Sequence, residues 1–467
     1  MEFFIIDKPQ TIRFPKCADH PILRDFLDRF TLGLPWNILR EHEELVITVG
    51  DYTEASRGDN EYALNITPAG VYISGRDYNG LIRGLLTFMQ KIICYDKLVY
   101  KAECGCFCES PAVGVRSVHL CIFPNPETTF PFLQKAVRLA AMAKYSHVIL
   151  EFWGSIRLDS FPQMAWPHAY TKAQVRELVA EIRALGMEII PFVQHLGHAA
   201  MARQGASGKH VVLDQAPELE YLYKPGFDGW VWDYSKPVVR ELLRNIRNEL
   251  MELCGEGGYF AIGCDEADDL GQGEDGLAVA AELCEYLNGV QEELSAVGRR
   301  VIMWGDMLFS RADFKIDKPQ PGEFYEGNSN HTFAEAMQNG LDKRIVIADW
   351  EYNIVSEEWK TAIAFKEKGF DVLCASFSGM TNIQTAIDTV KHHQLLGYMK
   401  TTWARIFREM GYVTYAGEAA WKGECWPNYP AYAKTVSRTF GLVRKICPCP
   451  DYKDAGWSPK QIEPSLH

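Results

Sequence analysis

The sequence has no long basic run, no long apolar stretch and no segment typical of a secretory signal. Its 467 residues carry 48 Lys and Arg against 61 Asp and Glu, a formal net charge of -13, which argues against nucleic acid as the main partner. Nothing in the chain is apolar over the length needed to cross a bilayer. Met1–Pro9 lacks a basic segment followed by a long apolar one, so we expect no signal peptide. We therefore expect a cytoplasmic protein that binds neither nucleic acid nor a membrane.

A zinc-type cysteine spacing and a glycine-rich phosphate loop are also lacking. The chain has 13 Cys. The cysteines that lie close together are spaced at two, which is not the spacing of zinc ligands, and they are Cys104, Cys106 and Cys108, and the pair Cys447 and Cys449. We expect reduced, mostly buried thiols in a reducing compartment, and neither a metal nor a cofactor.

The composition is that of a soluble globular protein. Hydrophobic residues make up 47% and charged residues 23% of the chain, and its length allows a large core and two domains. Residues 1–110 predict a small α+β domain, with strands at Glu44–Val49 and Gly70–Ser74 and an amphipathic helix at Leu81–Cys94. Residues 446–467 are Pro-rich and polar, which predicts a C-terminal tail on the surface.

Between residues 111 and 445 the pattern changes to strand, loop and helix, repeated. Short apolar runs predict eight strands, at Val115–Cys121, His147–Trp153, Met187–Val193, Tyr259–Gly263, Arg300–Trp304, Arg344–Trp350, Asp371–Ser376 and Gly397–Thr402. Helical periodicity marks most of the connecting segments, at Phe132–Lys144, Lys172–Leu185, Pro237–Cys254, Leu277–Val297, Glu357–Lys368 and Ile383–His393. The stretch between Asp306 and Arg344 is the least regular. Apolar strands alternating with amphipathic helices indicate a parallel sheet covered on both faces. Eight such units predict a (β/α)8 TIM barrel, in which the chemistry lies just after the strand ends.

Two adjacent carboxylates follow the fourth of these strands. Tyr259–Ile262 is apolar, Gly263 and Cys264 are small, and Asp265 and Glu266 come next. Neighbouring side chains on a regular strand point to opposite faces, but both can reach one cavity where the backbone turns. An acidic loop tip in solvent is the alternative interpretation. The position of the pair at the end of a buried strand favours a catalytic site.

Other strand ends supply aromatic and charged side chains. Any one of these side chains alone is weak evidence for a binding site. A lone histidine such as His195 is more often structural, and each tryptophan is compatible with core packing in the barrel mouth. Several on one rim favour a sugar pocket, because aromatic faces stack on sugar rings and carboxylates bind hydroxyls. The candidate pocket residues are Glu151, His198, Trp304, Asp306, Trp350, Tyr352, Trp403 and Arg405.

These segments resemble glycoside hydrolase family 20, the β-N-acetylhexosaminidases, and in particular its hexosaminidase D-like branch. Phe260–Gly271, with Ile-Gly-Cys-Asp-Glu, is similar to the catalytic signature of the family. Val193–His198 resembles its strand-three segment and Met303–Met307 its strand-five segment. Shorter segments with counterparts in the branch are Val118–Leu120, Leu150–Phe152, Tyr170–Lys172, Ala375–Gly379 and Trp403–Arg405. The likeness covers most of residues 114–410, and residues 1–110 resemble the small domain that often precedes such barrels.

The chain departs from the family at three places. Ala261 stands where the wider family usually has His. Phe123 and Pro124 stand where the family places a substrate-binding Arg. Strand seven lacks the Tyr that commonly holds the acetamido group, and Tyr352 at the end of strand six is the candidate replacement. Recognition of the sugar hydroxyls is therefore open, whereas the Asp-Glu pair is intact.

The resemblance implies an exo-acting, retaining β-N-acetylhexosaminidase that removes terminal β-linked GalNAc or GlcNAc. The substrate's own 2-acetamido oxygen would attack C1, so that the protein need not supply a nucleophile. Glu266 would protonate the leaving oxygen and later activate water, which requires a carboxyl group that holds its proton near neutral pH. Asp265 would stay ionised, orient the acetamido N–H and stabilise positive charge on the intermediate.

The same resemblance implies roles for the remaining candidates. Tyr352 would hydrogen bond to the acetamido carbonyl, and His198 would tune Glu266 or contact the sugar. Glu151 and Arg405 are candidates for hydroxyl contacts. The tryptophans would wall the acetamido pocket and the sugar ring, and they are Trp304, Trp350 and Trp403.

Two other function classes stay open. A metal-dependent barrel enzyme would bind Mg²⁺ with Asp265, Glu266 and Asp306, although the surrounding tryptophans and the missing phosphate loop argue against it. A non-catalytic amino-sugar-binding protein is the other, since Ala261 and Pro124 replace expected groups. For the enzyme we expect a small-molecule amino-sugar glycoside or oligosaccharide as partner, and we allow for a homodimer. The branch likeness favours GalNAc or mixed use.

Overall fold

The computed structural model describes residues 2–6, 11–13, 46–49, 61–96, 99–123, 128–200, 212–272, 275–403, 406–423 and 428–446. The chain divides into two compact units, one of residues 1–109, 131–142 and 437–467 and the other of residues 110–130 and 143–436. The domain boundaries expected near residues 110 and 445 stay predictions, and the expected tail beyond Ile446 lies outside the described residues.

The N-terminal part of the first unit contains two sheets and a helix. A three-stranded antiparallel sheet has the order β1–β7–β6, from Phe3–Ile6 (β1), Val99–Glu103 (β7) and Ile92–Asp96 (β6). A five-stranded mixed sheet has the order β2–β3–β5–β4–β8, from Thr11–Arg13 (β2), Val46–Val49 (β3), Gly70–Gly75 (β5), Tyr62–Thr67 (β4) and Gly105–Glu109 (β8).

Helix α1 (Tyr78–Lys91) begins earlier than the periodicity predicts. The Asp77 carboxylate accepts a hydrogen bond from the Gly80 N–H at 2.8 Å, which is a standard N-cap. The expected helix at Leu81–Cys94 instead ends at Lys91, and its last expected residues belong to β6. The β-branched pair that opens β6 pairs with β7 rather than extending the helix.

The second unit contains a closed barrel of eight parallel strands in chain order. The strands are Val115–Cys121 (β9), His147–Glu151 (β10), Glu188–Phe192 (β11), Tyr259–Gly263 (β12), Arg300–Trp304 (β13), Val346–Trp350 (β14), Asp371–Ser376 (β15) and Gly397–Thr401 (β16). Pairing of β16 with β9 closes the barrel. The ends of each strand lie within two residues of their expected positions, and the predicted (β/α)8 barrel preceded by a small α+β domain is confirmed.

Helices connect or follow the barrel strands. They are Phe130–Met142 (α2), Lys172–Ala184 (α3), Val212–Gln215 (α4), Pro237–Cys254 (α5), Gly276–Ser295 (α6), His331–Gly340 (α7), Lys360–Glu367 (α8), Met380–His392 (α9), Ile406–Lys422 (α10) and Tyr429–Ile446 (α11). Helices α4, α7, α10 and α11 were not expected; α7 begins at His331 and is capped by Asn330, whose side chain accepts from the Phe333 N–H at 3.2 Å. Among the described residues, no helix combines the length and apolarity that a bilayer crossing requires.

Alternate residues of the barrel strands point inward and fill the barrel with apolar side chains. These core residues are Ile149, Ile190, Phe192, Ala261, Ile302, Trp304, Val346, Ala348, Leu373, Ala375 and Met399. Because the side-chain period is two, the last inward position of several strands falls at the carboxyl rim of the barrel. On β10, β13 and β14 that position is occupied by Glu151, Trp304 and Trp350.

Candidate active site

The strand β12 ends in an irregular turn that aims the two acidic side chains. The register of β12 against β13 shifts between Ala261 and Gly263. The backbone then takes left-handed angles, with φ of 67° at Gly263, 72° at Cys264 and 51° at Glu266. Such angles cost a non-glycine residue on the order of 1 kcal/mol or more. The turn breaks the strand alternation that would send neighbouring side chains to opposite faces.

Close contacts from the loop after β11 hold this turn. The Gln194 side-chain oxygen accepts a hydrogen bond from the Cys264 N–H at 3.3 Å. A Cβ at Gly263 would lie 1.7 Å from that oxygen, and a Cβ at Gly197 would lie 2.0 Å from the Asp265 carbonyl oxygen. Gly197 therefore packs directly against the backbone of Asp265, and at Gly263 both the Gln194 side chain and the positive φ favour glycine.

Hydrogen bonds fix the backbone of Glu266 on both sides. The Asp306 Oδ2 accepts from the Glu266 N–H at 2.8 Å, and the Trp230 Nε1–H donates to the Glu266 carbonyl at 2.7 Å. The other Asp306 oxygen accepts from Trp350 Nε1 at 3.0 Å. Asp306 thus positions Glu266 and a rim tryptophan at the same time.

The side chains of Asp265 and Glu266 meet at one imidazole ring. The His198 Nε2 lies 3.1 Å from the Asp265 Oδ2 and 3.2 Å from the Glu266 Oε2. Asp265 is buried, whereas the Glu266 side chain is 50% exposed. The rings of Trp230 and Trp153 pack against His198, with centroids 4.5 Å and 5.6 Å away. The two carboxylates therefore contact the same imidazole nitrogen, and one of them is buried while the other is half exposed to solvent.

The buried carboxylates Asp265 and Asp306 repel each other. Burial, and next the charge of Asp265, raise the pKa of Asp306 well above its usual range. Two carboxylates this close in a poorly solvated site resist simultaneous ionisation. The hydrogen bonds that Asp306 accepts from Glu266 and Trp350 lower its pKa but do not offset the effect of burial.

Aromatic side chains surround the acidic pair. Trp304 is buried and packs 5.4 Å from Trp403, measured between ring centroids. The ring of Tyr352 lies 5.1 Å from Trp350 and 5.5 Å from Phe377. The Trp403 Nε1–H donates to the Tyr352 hydroxyl at 2.9 Å. Burial raises the pKa of Tyr352 well above its usual range, so its hydroxyl remains protonated and can donate a hydrogen bond.

A buried polar chain lies beneath this rim. The His119 Nε2 and a Glu151 oxygen are 2.7 Å apart, and the other Glu151 oxygen accepts from Gln194 Nε2 at 3.3 Å. The His119 ring meets Trp304 and Trp403 edge-on, at 5.8 Å and 5.1 Å. Glu151 thus holds Gln194, which in turn accepts the hydrogen bond from the Cys264 N–H. The expected contact of Glu151 with a sugar hydroxyl stays a prediction.

Two of these hydrogen-bonded residues belong to the one cluster, among the residues that the structure describes, whose side chains are close enough together to hold a metal ion. Donor atoms of His119, Cys121 and Glu151 lie within 4.8 Å of one another. The His119–Glu151 hydrogen bond accounts for two of these three side chains. The trio of Asp265, Glu266 and Asp306, which a metal-dependent enzyme would need, forms no such grouping within the described part of the chain.

The structure brings the predicted site residues together, with one residue outside its description. Glu151, His198, Trp304, Asp306, Trp350, Tyr352 and Trp403 lie around Asp265 and Glu266, and Arg405 lies outside the described residues. His195 is structural: its Nε2 is 2.8 Å from Arg247, and burial and that guanidinium lower its pKa well below the usual range.

Three residues that contact this site were not among the candidate pocket residues. His119 had a signal, a polar side chain inside an otherwise apolar strand, and Gln194 follows a strand end directly. Trp230 lies in a long connection far from any strand end, and no local pattern marks it.

Comparisons with known proteins agree on one family. The family model for the catalytic domain of glycosyl hydrolase family 20 matches residues 141–427. Hexosaminidase D of Bos taurus is 22% identical over 241 residues, covering 48% of this chain and 61% of that protein. A beta-hexosaminidase of Akkermansia muciniphila is 26% identical over 232 residues, covering 44% of this chain and 45% of that protein. The chain thus spans less than two thirds of the length of these curated relatives.

Solved structures share the fold at low sequence identity. The family 20 exo-β-N-acetylglucosaminidase of Vibrio harveyi, solved with N-acetylglucosamine, superposes with a TM-score of 0.68 at 15% identity over 96% of this chain and 76% of that one. The β-N-acetylhexosaminidase of Streptomyces coelicolor gives a TM-score of 0.65 at 16% identity over 95% and 93%.

Proposed function

Because the chain belongs to glycosyl hydrolase family 20, we propose that it is an exo-acting, retaining β-N-acetylhexosaminidase. It removes terminal β-linked GalNAc or GlcNAc by substrate-assisted catalysis. The observation that carries this proposal is the placement of Asp265 and Glu266 on one His198 imidazole, inside a rim of aromatic side chains. That geometry allows one carboxylate to face the acetamido group while its neighbour faces the leaving group.

Glu266 is the general acid and then the general base. As the acetamido oxygen bonds to C1, the C1–O glycosidic bond breaks and the Glu266 proton passes to the leaving oxygen. The resulting carboxylate then takes a proton from the water that attacks C1 and reopens the ring intermediate. Half exposure of this side chain supports the role, since both the aglycone and the water arrive from solvent.

Asp265 orients the acetamido group and stabilises its developing positive charge. Its carboxylate is buried, and the His198 Nε2 fixes one of its oxygens at 3.1 Å. A buried anion held in one orientation stabilises positive charge more than a solvated one.

Tyr352 and the tryptophans form the acetamido pocket. The Tyr352 hydroxyl accepts from Trp403 Nε1 and keeps its own proton for the acetamido carbonyl. That hydrogen bond would hold the carbonyl oxygen in line with C1. Trp304 and Trp350 supply apolar faces for the acetamido methyl group and the sugar ring.

The decisive experiment compares hydrolysis of the aryl β-GalNAc and aryl β-GlcNAc glycosides. We expect turnover of at least one of them and competitive inhibition by a thiazoline that mimics the cyclised acetamido intermediate. GalNAc activity equal to or above GlcNAc activity would agree with the hexosaminidase D-like resemblance. Hydrolysis that is insensitive to the thiazoline would exclude substrate assistance.

The same assay separates the two rival functions. A metal-dependent enzyme would lose activity on dialysis against EDTA, whereas the proposed hydrolase keeps it. A non-catalytic amino-sugar-binding protein would bind the thiazoline in calorimetry without hydrolysing either glycoside.

We further infer a reducing, cytoplasmic location from the cysteines. The eight cysteines whose side chains the structure describes are free thiols, five of them buried, which agrees with a protein that folds without disulfides. Cell fractionation tests the location, and light scattering tests the homodimer, which stays a prediction.

A further inference from the structure

A buried ion pair lies on the outer side of the barrel wall, behind the aromatic rim. Lys400 is on β16 beside Met399, which faces the barrel core, so Lys400 points to the opposite face. Its Nζ donates to the Glu409 Oε2 on α10 at 2.8 Å, and the two side chains are 0% and 5% exposed. Ser378 donates to the other Glu409 oxygen at 2.7 Å.

Two short routes connect this pair to Tyr352. The Lys400 Nζ lies 5.3 Å from the centroid of the Phe377 ring, which packs against the Tyr352 ring. The Lys400 Nζ also donates to the Thr401 carbonyl at 2.6 Å, and two residues later the Trp403 Nε1–H donates to the Tyr352 hydroxyl at 2.9 Å. The Lys400 ammonium group therefore contacts the loop after β15 through Phe377 and the end of β16 through Thr401.

Core stability alone does not explain an ion pair at this place. Charges are expensive to bury, and an apolar pair of similar volume is often as stable or more stable. Burial lowers the pKa of Lys400 to about 8, so the ammonium form still predominates at neutral pH. None of the proposed proton transfers passes through Lys400 or Glu409.

We propose that Lys400 and Glu409 are positioning residues that fix Phe377 and Tyr352, and through them the wall against which the acetamido group cyclises. This inference rests on the proposed function. The Tyr352 ring packs against Trp350 and Phe377, so its position depends on how these neighbours are held. An error of about 1 Å in the position of the acetamido oxygen can cost on the order of a hundredfold in rate.

The test replaces the ion pair with an apolar pair, Lys400→Met with Glu409→Leu. A double replacement leaves no uncompensated charge, so the fold should persist, as circular dichroism and thermal unfolding would verify. We expect kcat on an aryl N-acetylhexosaminide to fall about tenfold to a hundredfold with little change in KM. We expect the thiazoline Kd to rise by the same factor, and the Kd of the free amino sugar to change much less.

A second buried ion pair supplies the matched control. Arg83 and Glu61 pair in the N-terminal part of the chain at 7% and 3% exposure. The double variant Arg83→Met with Glu61→Leu should leave kcat and the thiazoline Kd unchanged, whatever its effect on stability. If the Lys400/Glu409 variant also keeps its kcat and thiazoline Kd, or loses affinity for both ligands equally, the positioning role is wrong.

The readouts also separate this inference from the proposed function. A wild-type protein that neither hydrolyses the glycoside nor binds the thiazoline would overturn both. A wild-type protein that binds the thiazoline without turnover would overturn the hydrolase, and calorimetry would still decide the positioning role. An active wild type with an unaffected double variant would overturn the positioning role alone.

Discussion

At the residue scale, one imidazole ring organises the proposed chemistry. His198 contacts both carboxylates through a single nitrogen, at 3.1 Å and 3.2 Å. The two acids differ in burial, and this difference is the basis of their proposed roles: Asp265 is buried, while the Glu266 side chain is 50% exposed. Burial and the charge of Asp265 raise the pKa of the neighbouring Asp306 well above its usual range.

Replacing Glu266 by Gln removes the transferable proton and keeps the side-chain volume. We expect kcat to fall about a thousandfold on glycosides with poor leaving groups, since general acid catalysis supplies roughly 10²- to 10⁴-fold. The loss should be much smaller on a dinitrophenyl glycoside, whose leaving oxygen needs no proton. A variant that keeps most of its activity on the poor leaving group would remove Glu266 as the acid.

Replacing Asp265 by Asn should damage the acetamido-assisted step in particular. In the proposed mechanism, the buried carboxylate stabilises a positive charge that develops only when the acetamido oxygen attacks. We expect kcat/KM on the N-acetyl substrate to fall by at least about a hundredfold, with a matching loss of thiazoline affinity. An equal loss on a hexoside that lacks the acetamido group would contradict the assigned role.

At the element scale, backbone strain concentrates where the strands end. The rim residues Trp153, His198, Cys264, Glu266 and Trp403 all have positive φ, between 44° and 72°. Such angles persist only when surrounding contacts enforce them, and they are common at functional sites. Here the enforcing contacts come from neighbouring strand ends, so the site is a property of several β/α units at once.

A single methyl group at Gly197 tests this close packing. Its Cβ would lie 2.0 Å from the Asp265 carbonyl oxygen, so the backbone that carries the acids must move. We expect Gly197→Ala to reduce kcat by about a hundredfold and to lower the free energy of unfolding by roughly 2 kcal/mol. Kinetics and urea unfolding measure the two effects.

The control is the same substitution in open space. Gly289 lies within α6 with no atom within 4 Å of an added Cβ. Gly289→Ala should keep full activity and raise stability by about 0.5–1 kcal/mol. Normal kinetics for Gly197→Ala would mean that the β11 and β12 ends are not packed as described.

At the scale of the whole molecule, the barrel fold is retained while most of the sequence differs. The superposition on the Vibrio harveyi enzyme gives a TM-score of 0.68 at 15% identity. Barrel packing requires apolar volume at alternate positions rather than particular residues, so the core can change widely. The stability of the whole fold also depends on hydrogen bonds and ion pairs between its elements. One set of these contacts, at Glu249, predicts that the free energy of unfolding depends on pH.

Glu249 on α5 accepts hydrogen bonds from the backbone N–H groups of Asp159 and Ser160, both at 2.8 Å, and pairs with Lys172. Burial alone would raise the pKa of Glu249, but these partners outweigh it and lower the pKa to about 2. The ionised form therefore stabilises the folded state above pH 4.5, and this contribution is lost as the pH falls from about 4.5 through 2. We expect Glu249→Gln to lower the free energy of unfolding by roughly 2 kcal/mol at pH 7 and by much less near pH 2.5.

Urea unfolding at a series of pH values measures this difference. Glu252 on the same helix is the control, because its pair with Arg176 spans 3.7 Å and its side chain is 77% exposed. Glu252→Gln should change the free energy of unfolding by less than about 0.5 kcal/mol at every pH. A pH-independent effect of Glu249→Gln would contradict the assignment.

The sequence alone was sufficient for the barrel and for its acidic pair. Buried strands are short apolar runs bounded by turns, and the order of strand and helix restricts the topology to very few folds. Strand ends were therefore located to within two residues, and the rule that chemistry follows strand ends selected Asp265 and Glu266. Helix α7 was missed because it lies in a stretch without clear periodicity.

The tertiary structure decided how those acids are held. His198 and Asp265 are 67 positions apart, and Asp306 and Glu266 are 40 apart, so their hydrogen bonds exist only once the strands are adjacent. The support from Trp230 and Gln194, and the ion pair of Lys400 with Glu409, likewise depend on which faces the closed barrel brings together. A local sequence pattern indicates to which face of its own strand a side chain points. Which residue it bonds to is decided only when all eight strands close into the barrel.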